Sequence, residues 1–433
     1  MRYDLRLDAL NFLLADVRGG LGPYVGMFLL GQAHWDQATI GVVLTMSGLV
    51  GITLHTPVGA LIDATHRKRE LLVAGVAALA ASALAIAATP VRPVVLAADI
   101  VMAVLGAVFA PTVAAITVGL VARGELTARL ARNAAWDRAG NIFVGVVAGL
   151  AGWAFSSRAV LYLAPFFALL TAVAALSIPA RAIDHARARG LDGERAASGR
   201  AHPAGWRILL HDRPLLMLAA GVALFHFANA PMLLLVGQEL TLGHPGEATV
   251  LMSACIVTAQ LVSIPAALVV GAEADRRGRK PLLLAAFAAL PARCLLFAAV
   301  DRPFWLVAGQ ILDGVALGML DALLALVLAD VMRGTGRYNL ARGLVGTVQG
   351  IGGSSSNAVA GLLVVWAGYP VTFLVLALVA LAAFLLMALA MPETGNAVPP
   401  GTAGLTAPAP RPLADGPRAD RPALRSRPRA GRG

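Results

Sequence analysis

Long apolar stretches alternate with short polar segments along most of the chain. Twelve of these stretches have about the length that a helix needs to cross a bilayer. They fall near 10–32, 38–62, 71–89, 94–120, 134–155, 159–179, 215–237, 249–270, 282–300, 304–328, 344–366 and 370–391. Inside lipid, backbone amides and carbonyls must be satisfied within the segment, which favours helices over open strands. The pattern therefore predicts an all-α polytopic membrane protein with twelve transmembrane helices.

The composition agrees with a membrane protein. Of the 433 residues, 58% are hydrophobic and only 14% are charged, whereas soluble domains carry about 25% charged residues. The two cysteines, Cys255 and Cys294, fall inside apolar stretches and predict no disulfide framework. The first stretch contains Asp16 and Arg18 and lacks a cleavage site, so we do not expect a secretory signal.

Basic residues are distributed unevenly between the polar segments. With both termini in the cytoplasm, the outer loops receive only Arg92, Arg158 and Arg302, and the apolar stretches contain Arg18, Arg138 and Arg293. The other 29 of the 35 Lys and Arg residues fall on the cytoplasmic side. This asymmetry predicts a protein of the inner (plasma) membrane with both termini cytoplasmic. It also accounts for the net charge of +11, so we expect no nucleic-acid partner.

Two segments have no apolar stretch. Residues 181–213 are rich in Arg and predict a cytoplasmic linker, which would join a bundle of six helices at 1–180 to a second bundle at 214–393. Residues 394–433 are rich in Pro, Ala and Arg and carry few large apolar side chains. Such a segment cannot bury a core and predicts a disordered cytoplasmic tail.

A charged turn occurs twice, each time after the second apolar stretch of its half. Residues 59–68 read "GALIDATHRK" and residues 271–280 read "GAEADRRGRK". At an offset of 212 residues the identical pairs are Gly59 and Gly271, Asp63 and Asp275, Arg67 and Arg279, and Lys68 and Lys280. A recurrence at one offset predicts an internal repeat, and so two pseudo-symmetric six-helix bundles.

These turns and the twelve stretches resemble the major facilitator superfamily from about residue 8 to residue 393. The hallmark of that family is a G-x-L-x-D-x-x-G-R-K-type turn after the second and eighth helices. The later copy keeps Gly271, Asp275, Arg276, Gly278, Arg279 and Lys280, and the earlier copy keeps Gly59, Leu61, Asp63, Arg67 and Lys68. Ala64 and His66 stand where the family often has Arg and Gly. The resemblance implies two bundles that rock about a central solute site.

The resemblance also implies that the turns act in gating. Such turns hold one bundle against the other when the cytoplasmic gate is shut. Asp63 is then expected to face the start of the eleventh helix, near 339–341, and Asp275 the start of the fifth helix, near 128–132. The alternative is that the turns only anchor the topology and have no part in gating.

Polar side chains inside apolar stretches cost about 2.5–3.5 kcal/mol each when charged, so each requires a reason. The candidates for solute binding or proton coupling are Asp16, Arg18, Asp99, His226, Asn229, Gln260 and Asn357. In the resembling family the first, fourth, seventh and tenth helices line the cavity, which favours Asp16, Arg18, Asp99 and His226. Arg293 and Asp313 come to similar depths on antiparallel helices, which predicts a buried ion pair with a structural role.

The function expected from these features is secondary active transport of a small solute. A Walker loop is excluded because both lysines follow an Arg and not a Gly. A buried carboxylate such as Asp16 is suited to carry a coupling proton, because desolvation raises its pKa. Export is slightly favoured, and proton-coupled import is the alternative. We expect a monomer in contact with membrane lipid, without cofactor or metal ion.

Two other classes of protein stay open at this point. A polytopic redox protein or enzyme is one, although only His55 and His226 lie well inside apolar stretches and no HExxH or GxSxG motif occurs. A transporter-like sensor without flux is the other.

Overall fold

The helices of the first half follow the predicted apolar stretches. The computed structural model describes residues 4–15, 22–184, 212–333 and 338–395, and regular structure in these ranges is helical throughout. The first half contains α1 (Asp4–Ala15), α2 (Gly22–Gly31), α3 (Gln37–Ala64), α4 (Lys68–Ala88), α5 (Arg92–Leu120), α6 (Arg123–Ala154), α7 (Ser157–Leu161) and α8 (Leu163–Ser177). A 3₁₀ turn at Ala180–Ala182 ends the half.

The second half repeats this order. It contains α9 (Arg213–Asn229), α10 (Met232–Gly243), α11 (Ala248–Arg277), α12 (Arg279–Ala299), α13 (Pro303–Ala308), α14 (Gln310–Val331) and α15 (Tyr338–Ala390). Within α15 the backbone leaves helical geometry at Gly368, with φ 80° and ψ 174°, so α15 comprises the eleventh and twelfth helices. In the described part of the chain, nine helices are long and apolar enough to cross a membrane, with α15 counted once.

Several transmembrane helices are interrupted. The seventh helix is divided between α9 and α10, where Pro231 lies between Asn229 and Met232, and the tenth is divided at Gly309. In the first helix α1 ends at Ala15 and α2 begins at Gly22, and residues 16–21 lie outside the described part. Asp16 and Arg18 therefore stay predictions. Interrupted transmembrane helices are typical of solute sites in secondary transporters.

The helices extend further into the polar segments than the apolar stretches do. We expected spans at 38–62 and 249–270, but α3 continues to Ala64 and α11 to Arg277. Most of each charged turn is thus the last part of a helix, and only residues 65–67 and Gly278 separate consecutive helices. Charged residues end an apolar pattern without ending a helix, because outside the lipid core they are solvated.

Helix starts on the polar side are capped as the sequence favours. Asp36 precedes α3 and accepts a hydrogen bond from the amide of Thr39 at 2.8 Å. Asp212 does the same before α9, where it accepts from the amide of Leu215 at 2.9 Å. Hydrogen bonds from Thr39 lower the pKa of Asp36 below its ordinary value, although burial opposes them. Such caps satisfy amides that have no partner within the helix.

Helices of the two halves pack directly on one another. The pairs that cross between halves are α3 with α15, α6 with α11, and α2 with α10. Large aromatic side chains such as Phe109, Phe225 and Phe287 fill the interior of each half. The surface between the halves is instead built of small and polar residues, and the candidate site lies there.

Candidate functional site

Contacts between the halves are concentrated away from the charged turns. We call the end that carries residues 59–68 and 271–280 the turn end, and the other end the opposite end. Contacts across the halves join Tyr24 with Ser253, Met27 with Gly237, Gln37 with Tyr369, Thr45 with Ser354, Gly48 with Ser354, and Gly149 with Ser253. Each of these residues lies in the part of its helix towards the opposite end or at mid-depth.

Several glycines show how closely the halves approach there. A Cβ atom added to Gly41 would collide with the carbonyl of Asn357, and one added to Gly361 would collide with the carbonyl of Gln37. Near the turn end, a Cβ atom added to Gly343 or Gly346 at the start of α15 would have no other atom within 4 Å. Among the described residues, the halves are therefore closed at the opposite end and open at the turn end.

A cavity of about 360 Å³ lies at mid-depth, beside the start of α2 and the interruption of the seventh helix. Its polar wall is formed by Ser47, Asp99, Ser354 and Asn357, and its apolar wall by Pro23, Leu44, Ala103, Leu233 and Leu234. Both halves contribute to both walls. Of the predicted site residues, the structure brings Asp99 and Asn357 together here.

Asp99 has an unusual hydrogen-bond partner. Ser47 on α3 is fully buried and contacts Asp99 Oδ2. The same Ser47 hydroxyl lies 2.7 Å from the carbonyl oxygen of Val43. A hydroxyl has one proton to donate, so it cannot serve an ionised Asp99 and the Val43 carbonyl together. No Arg, Lys or His of the described residues lies within ion-pair distance of Asp99.

His226 lies inside the second half, and both of its ring nitrogens have hydrogen-bond partners there. Its Nδ1 lies 3.0 Å from the carbonyl oxygen of Val222, which can only accept, so Nδ1 carries the proton. Its Nε2 lies 2.9 Å from the side-chain nitrogen of Gln349, which donates to it. These partners favour the neutral imidazole. In this conformation His226 connects α9 with α15.

Asn229 belongs to a buried network centred on Arg293, which is 1% exposed. Arg293 Nη1 donates to Asp313 Oδ1 at 2.5 Å and to Asn229 Oδ1 at 3.0 Å, and Nη2 donates to Gln310 Oε1 at 2.7 Å. The ion pair that matched depths predict is thus present. Because Asn229 ends α9 and Gln310 begins α14, the network connects the interruptions of the seventh and tenth helices.

Comparison with known proteins identifies the family. The sequence model of the Major Facilitator Superfamily matches residues 7–290 and 247–429. The chain belongs to the major facilitator superfamily. An uncharacterized MFS-type transporter of Mycobacterium tuberculosis, found in the strains CDC 1551 / Oshkosh and ATCC 25618 / H37Rv, is 46% identical over 393 residues, which cover 90% of this chain and 93% of the relative.

Solved structures of the superfamily share the fold. The nucleoside transporter NupG superposes with a TM-score of 0.71 at 16% identity, over 90% of this chain and 99% of NupG. A D-xylose-proton symporter superposes with a TM-score of 0.70 at 14% identity, over 91% of this chain and 98% of the symporter. The chain is therefore a multi-pass membrane transporter of the superfamily with a small-molecule solute, and it is not an enzyme.

Among the described residues, the Asp275 side chain of the second turn has no partner in the first half in this conformation. Asp275 is 86% exposed in its side chain and accepts a hydrogen bond from Arg279 Nη1 at 2.7 Å. The expected position at the start of the fifth helix is occupied differently, because Arg129 and Arg132 bind Asp8 of α1 at 2.6 and 2.5 Å. The contact predicted between Asp275 and 128–132 is thus not made while the turn end is open. The side chains of Asp63 and Asn339 lie outside the described part.

Some functional candidates of this superfamily member were missed in the sequence. Asp321 on α14 is exposed, and Arg138 on α6 donates a hydrogen bond to the predicted Gln260 at 3.4 Å. Asp321 interrupts an apolar stretch of the tenth helix as Asp99 interrupts the fourth, and this pattern in the sequence could have identified it.

Asp8 is a second missed candidate. Arg129 and Arg132, which share one helix face, were the sequence pattern that indicated an acidic partner. Burial alone would raise the pKa of Asp8, but hydrogen bonds from Arg132 and Arg129 lower it below its ordinary value.

Proposed function

We propose that this chain is a proton-coupled transporter of a small polar or amphipathic solute, which binds in the cavity beside Asp99. The observation that carries the proposal is the single proton of Ser47 between two acceptors. The conflict disappears when Asp99 is protonated, because its O–H then donates to Ser47 Oγ and Ser47 donates to Val43. A bound proton also removes the cost of keeping an unpaired carboxylate away from water.

The other cavity groups suit a neutral polar part of the solute. Asn357 supplies both a donor and an acceptor, and Ser354 supplies a hydroxyl. Leu44, Leu233 and Leu234 offer apolar contact on the facing wall. Because the two halves share the cavity, a bound solute contacts both of them and can favour their approach. Gln260 and Asn357 stay in the proposed site, whereas His226 and Asn229 are committed to partners within the second half.

The proposed transport cycle uses the two bundles at 1–180 and 214–393, joined by the linker at 181–213. We propose that the turn end faces the cytoplasm, with both termini on that side, so that the described conformation is open inwards. The inner membrane belongs to the same proposal, and the predicted tail at 394–433 lies outside the described part beyond Gly395. Reporter fusions after Gly395 and within 181–213 should both give cytoplasmic signals, and a signal from the other side at either point would overturn this orientation.

Export remains the proposed direction, and import is the alternative outcome of the same measurement. Proteoliposomes with a pH gradient of either sign can be offered candidate solutes on each side. Solute leaving the compartment that corresponds to the cytoplasm in exchange for entering protons indicates export, and co-entry of solute and protons indicates import. Absence of solute flux from protein that binds its solute would favour a sensor.

The proton role of Asp99 is tested with Asp99→Asn. A panel of metabolites and drugs is first screened by thermal shift of the purified protein to find a bound solute. In proteoliposomes with an internal pH dye, that solute should drive proton movement in the wild type and none in Asp99→Asn. Solute affinity of the variant should stay within about tenfold, or roughly 1.4 kcal/mol.

Asp301→Asn is the matched control, because it makes the same change on an exposed loop. It should leave solute-driven proton movement near the wild-type rate. Proton movement of wild-type size in Asp99→Asn would remove Asp99 from coupling. Asp16→Asn, tested in parallel, then shows whether the carboxylate of the first helix carries the proton, as the sequence alone suggested.

A further inference from the structure

A second set of charged side chains lies between the halves, nearer the turn end than Asp99. Arg138 on α6 is partly buried. Its Nη1 donates to Ser263 Oγ at 2.5 Å and to Gln260 Oε1 at 3.4 Å, both on α11. Among the described residues, its Nε and Nη2 have no hydrogen-bond partner. A guanidinium has five N–H donors, so three of them are unused.

The contacts of Arg138 do not account for its charge. Placing an Arg inside an apolar stretch such as 134–155 costs free energy, which reaches about 2.5–3.5 kcal/mol at the centre of a transmembrane helix on insertion scales. Ser263 and Gln260 are neutral, and an uncharged donor would satisfy them at lower cost. No carboxylate of the described residues lies within 4 Å of the guanidinium. The positive charge of Arg138 is therefore suited to bind an anion that the described residues of the protein do not supply.

Two other charged groups share this space. Arg138 and Arg342 both act electrostatically on Asp321 of α14, but neither forms an ion pair with it. At 1.5 Å per residue, Arg342 lies about 6 Å from the turn end of its helix, Asp321 about 15 Å and Arg138 about 22 Å. Asp321 repels an incoming anion and Arg342 attracts it, so the three groups together leave one positive charge, with Arg138 the deepest.

We propose that Arg138 binds an anionic group of the transported solute, a carboxylate or a phosphate, while the rest of the solute occupies the cavity beside Asp99. The proposal rests on the proposed function, since it adds the substrate class to the same site. The planar fork of a guanidinium matches the two oxygens of either anion. Because Arg138 belongs to the first half and its partners to the second, the anion binds where the halves meet.

The test measures the local charge with thiol reagents of opposite sign. Gln260→Cys, in a Cys255→Ala and Cys294→Ala background, places a thiol beside Arg138. The full-length protein is treated with the anionic reagent 2-sulfonatoethyl methanethiosulfonate and the cationic reagent 2-(trimethylammonium)ethyl methanethiosulfonate. The ratio of anionic to cationic rate should fall roughly tenfold in Arg138→Gln, stay near its original value in Arg138→Lys, and rise in Asp321→Asn.

Competition then shows binding of an anion. In the Gln260→Cys reporter that keeps Arg138, benzoate and phenyl phosphate should slow the thiol modification and benzamide should not. In the same reporter with Arg138→Gln, neither anion should change the rate. A difference between benzoate and phenyl phosphate tells which anion is preferred. An unchanged rate ratio in Arg138→Gln, or equal effects of benzoate and benzamide, would overturn the proposal.

Two features keep the result interpretable. Asn141→Cys, one helical turn from Arg138 on α6, is the second reporter if Gln260→Cys does not fold. Thiol modification reports the charge of the cavity whether or not the protein moves protons. Proton movement of wild-type size in Asp99→Asn, together with anion competition at Arg138, would therefore reject the role of Asp99 and keep that of Arg138. Loss of proton movement in Asp99→Asn without anion competition at Arg138 would do the opposite.

Discussion

The two charged turns share four identical residues at one offset, yet they satisfy their helix ends in opposite ways. In the first turn, Lys68 is 1% exposed, and its Nζ donates to the carbonyl oxygens of Ile62 at 2.5 Å and Thr65 at 3.1 Å. A cation thus completes the C-terminal end of α3. In the second turn, the Glu393 carboxylate accepts from the amides of Arg279 at 2.7 Å and Lys280 at 3.0 Å, so an anion completes the N-terminal end of α12.

The difference follows from one backbone position. Gly278 has φ 87° and ψ 171°, a conformation essentially restricted to glycine, and a Cβ there would meet Glu393 Oε2 at 2.5 Å. His66 occupies the corresponding position of the first turn and has no positive φ. A glycine thus lets the segment after the twelfth helix approach the second turn, and the first turn uses its own lysine instead. Identity in sequence between repeats does not guarantee the same hydrogen bonds.

The largest effect is expected from Gly278→Ala. Alanine is strained at a positive φ, and its Cβ would collide with the Glu393 carboxylate. The free energy of unfolding should therefore fall by about 2–3 kcal/mol, through backbone strain and loss of the helix cap together. The thermal unfolding midpoint of the purified protein should fall by several degrees. Gly271→Ala is the control, because that position is helical and open, and it should be neutral or slightly stabilising. Equal midpoints for the two variants would contradict the account of Gly278.

Lys68→Met should have the next largest effect. It removes the ammonium that bonds the last carbonyls of α3, and buried acceptors without a partner cost about 1–3 kcal/mol. Lys280→Met makes the same change at the corresponding position, where the structure describes no side-chain hydrogen bond, and should change the midpoint little. If both lysines matter equally, the two turns are more alike than the structure indicates.

Glu393→Gln tests the second turn through pH. Burial raises the pKa of Glu393, but hydrogen bonds from the amides of Gly395, Arg279 and Lys280 lower it below the ordinary value of 4.5. Because the pKa of Glu393 is lower in the folded than in the unfolded state, its ionised carboxylate stabilises the fold fully above pH 4.5. This stabilisation disappears as the pH falls through the pKa of the folded state. The wild type should exceed Glu393→Gln by about 1 kcal/mol at neutral pH. The two thermal midpoints should converge below about pH 4.5, and a constant difference across this range would reject the capping role.

Asp275→Asn should have the smallest energetic effect but a visible conformational one. Asp275 is exposed in the open state, so the fold should be unaffected. If it bonds the fifth helix when the turn end closes, its loss removes about 0.3–1 kcal/mol and shifts the population several-fold towards the open state. Accessibility of single introduced cysteines, in a Cys255→Ala and Cys294→Ala background, measures the shift.

Asp63→Asn should act in the same direction and more weakly, because Ala64 and His66 leave the first turn less complete. Unchanged accessibility in Asp275→Asn, at normal protein levels, would leave the second turn as a topology anchor.

The fold was accessible from the sequence because lipid imposes one rule on every span. Twelve apolar stretches and one repeat offset predicted the helices and the two halves, and equal depth brought Arg293 and Asp313 together. Depth, however, is one coordinate of three. The rotation of α3 about its axis places Ser47 against Asp99, and no spacing within either helix contains that information.

Conformational state was equally out of reach. The contact predicted between Asp275 and 128–132 is not made by the described residues in this conformation, and it stays a prediction for a state in which the turn end is closed. Glu393 was missed for a different reason. It lies after the last apolar stretch and just before the segment 394–433 that composition assigned to a disordered tail, and its role depends on the backbone of Gly278, more than a hundred residues earlier.

The contacts that close the opposite end determine how much binding free energy the solute must provide to separate the halves there. There the halves touch through glycine surfaces and through neutral hydrogen bonds such as Tyr24 to Ser253 at 2.7 Å and Gln37 to Tyr369 at 3.3 Å. Neutral bonds of this kind contribute about 0.5–1.5 kcal/mol each, and water replaces them when the halves separate. To invert a population from 1:99 to 99:1 takes about 5.5 kcal/mol of differential binding. Because the contacts described at this end are neutral and individually weak, we expect a solute of modest affinity to be sufficient to separate the halves there.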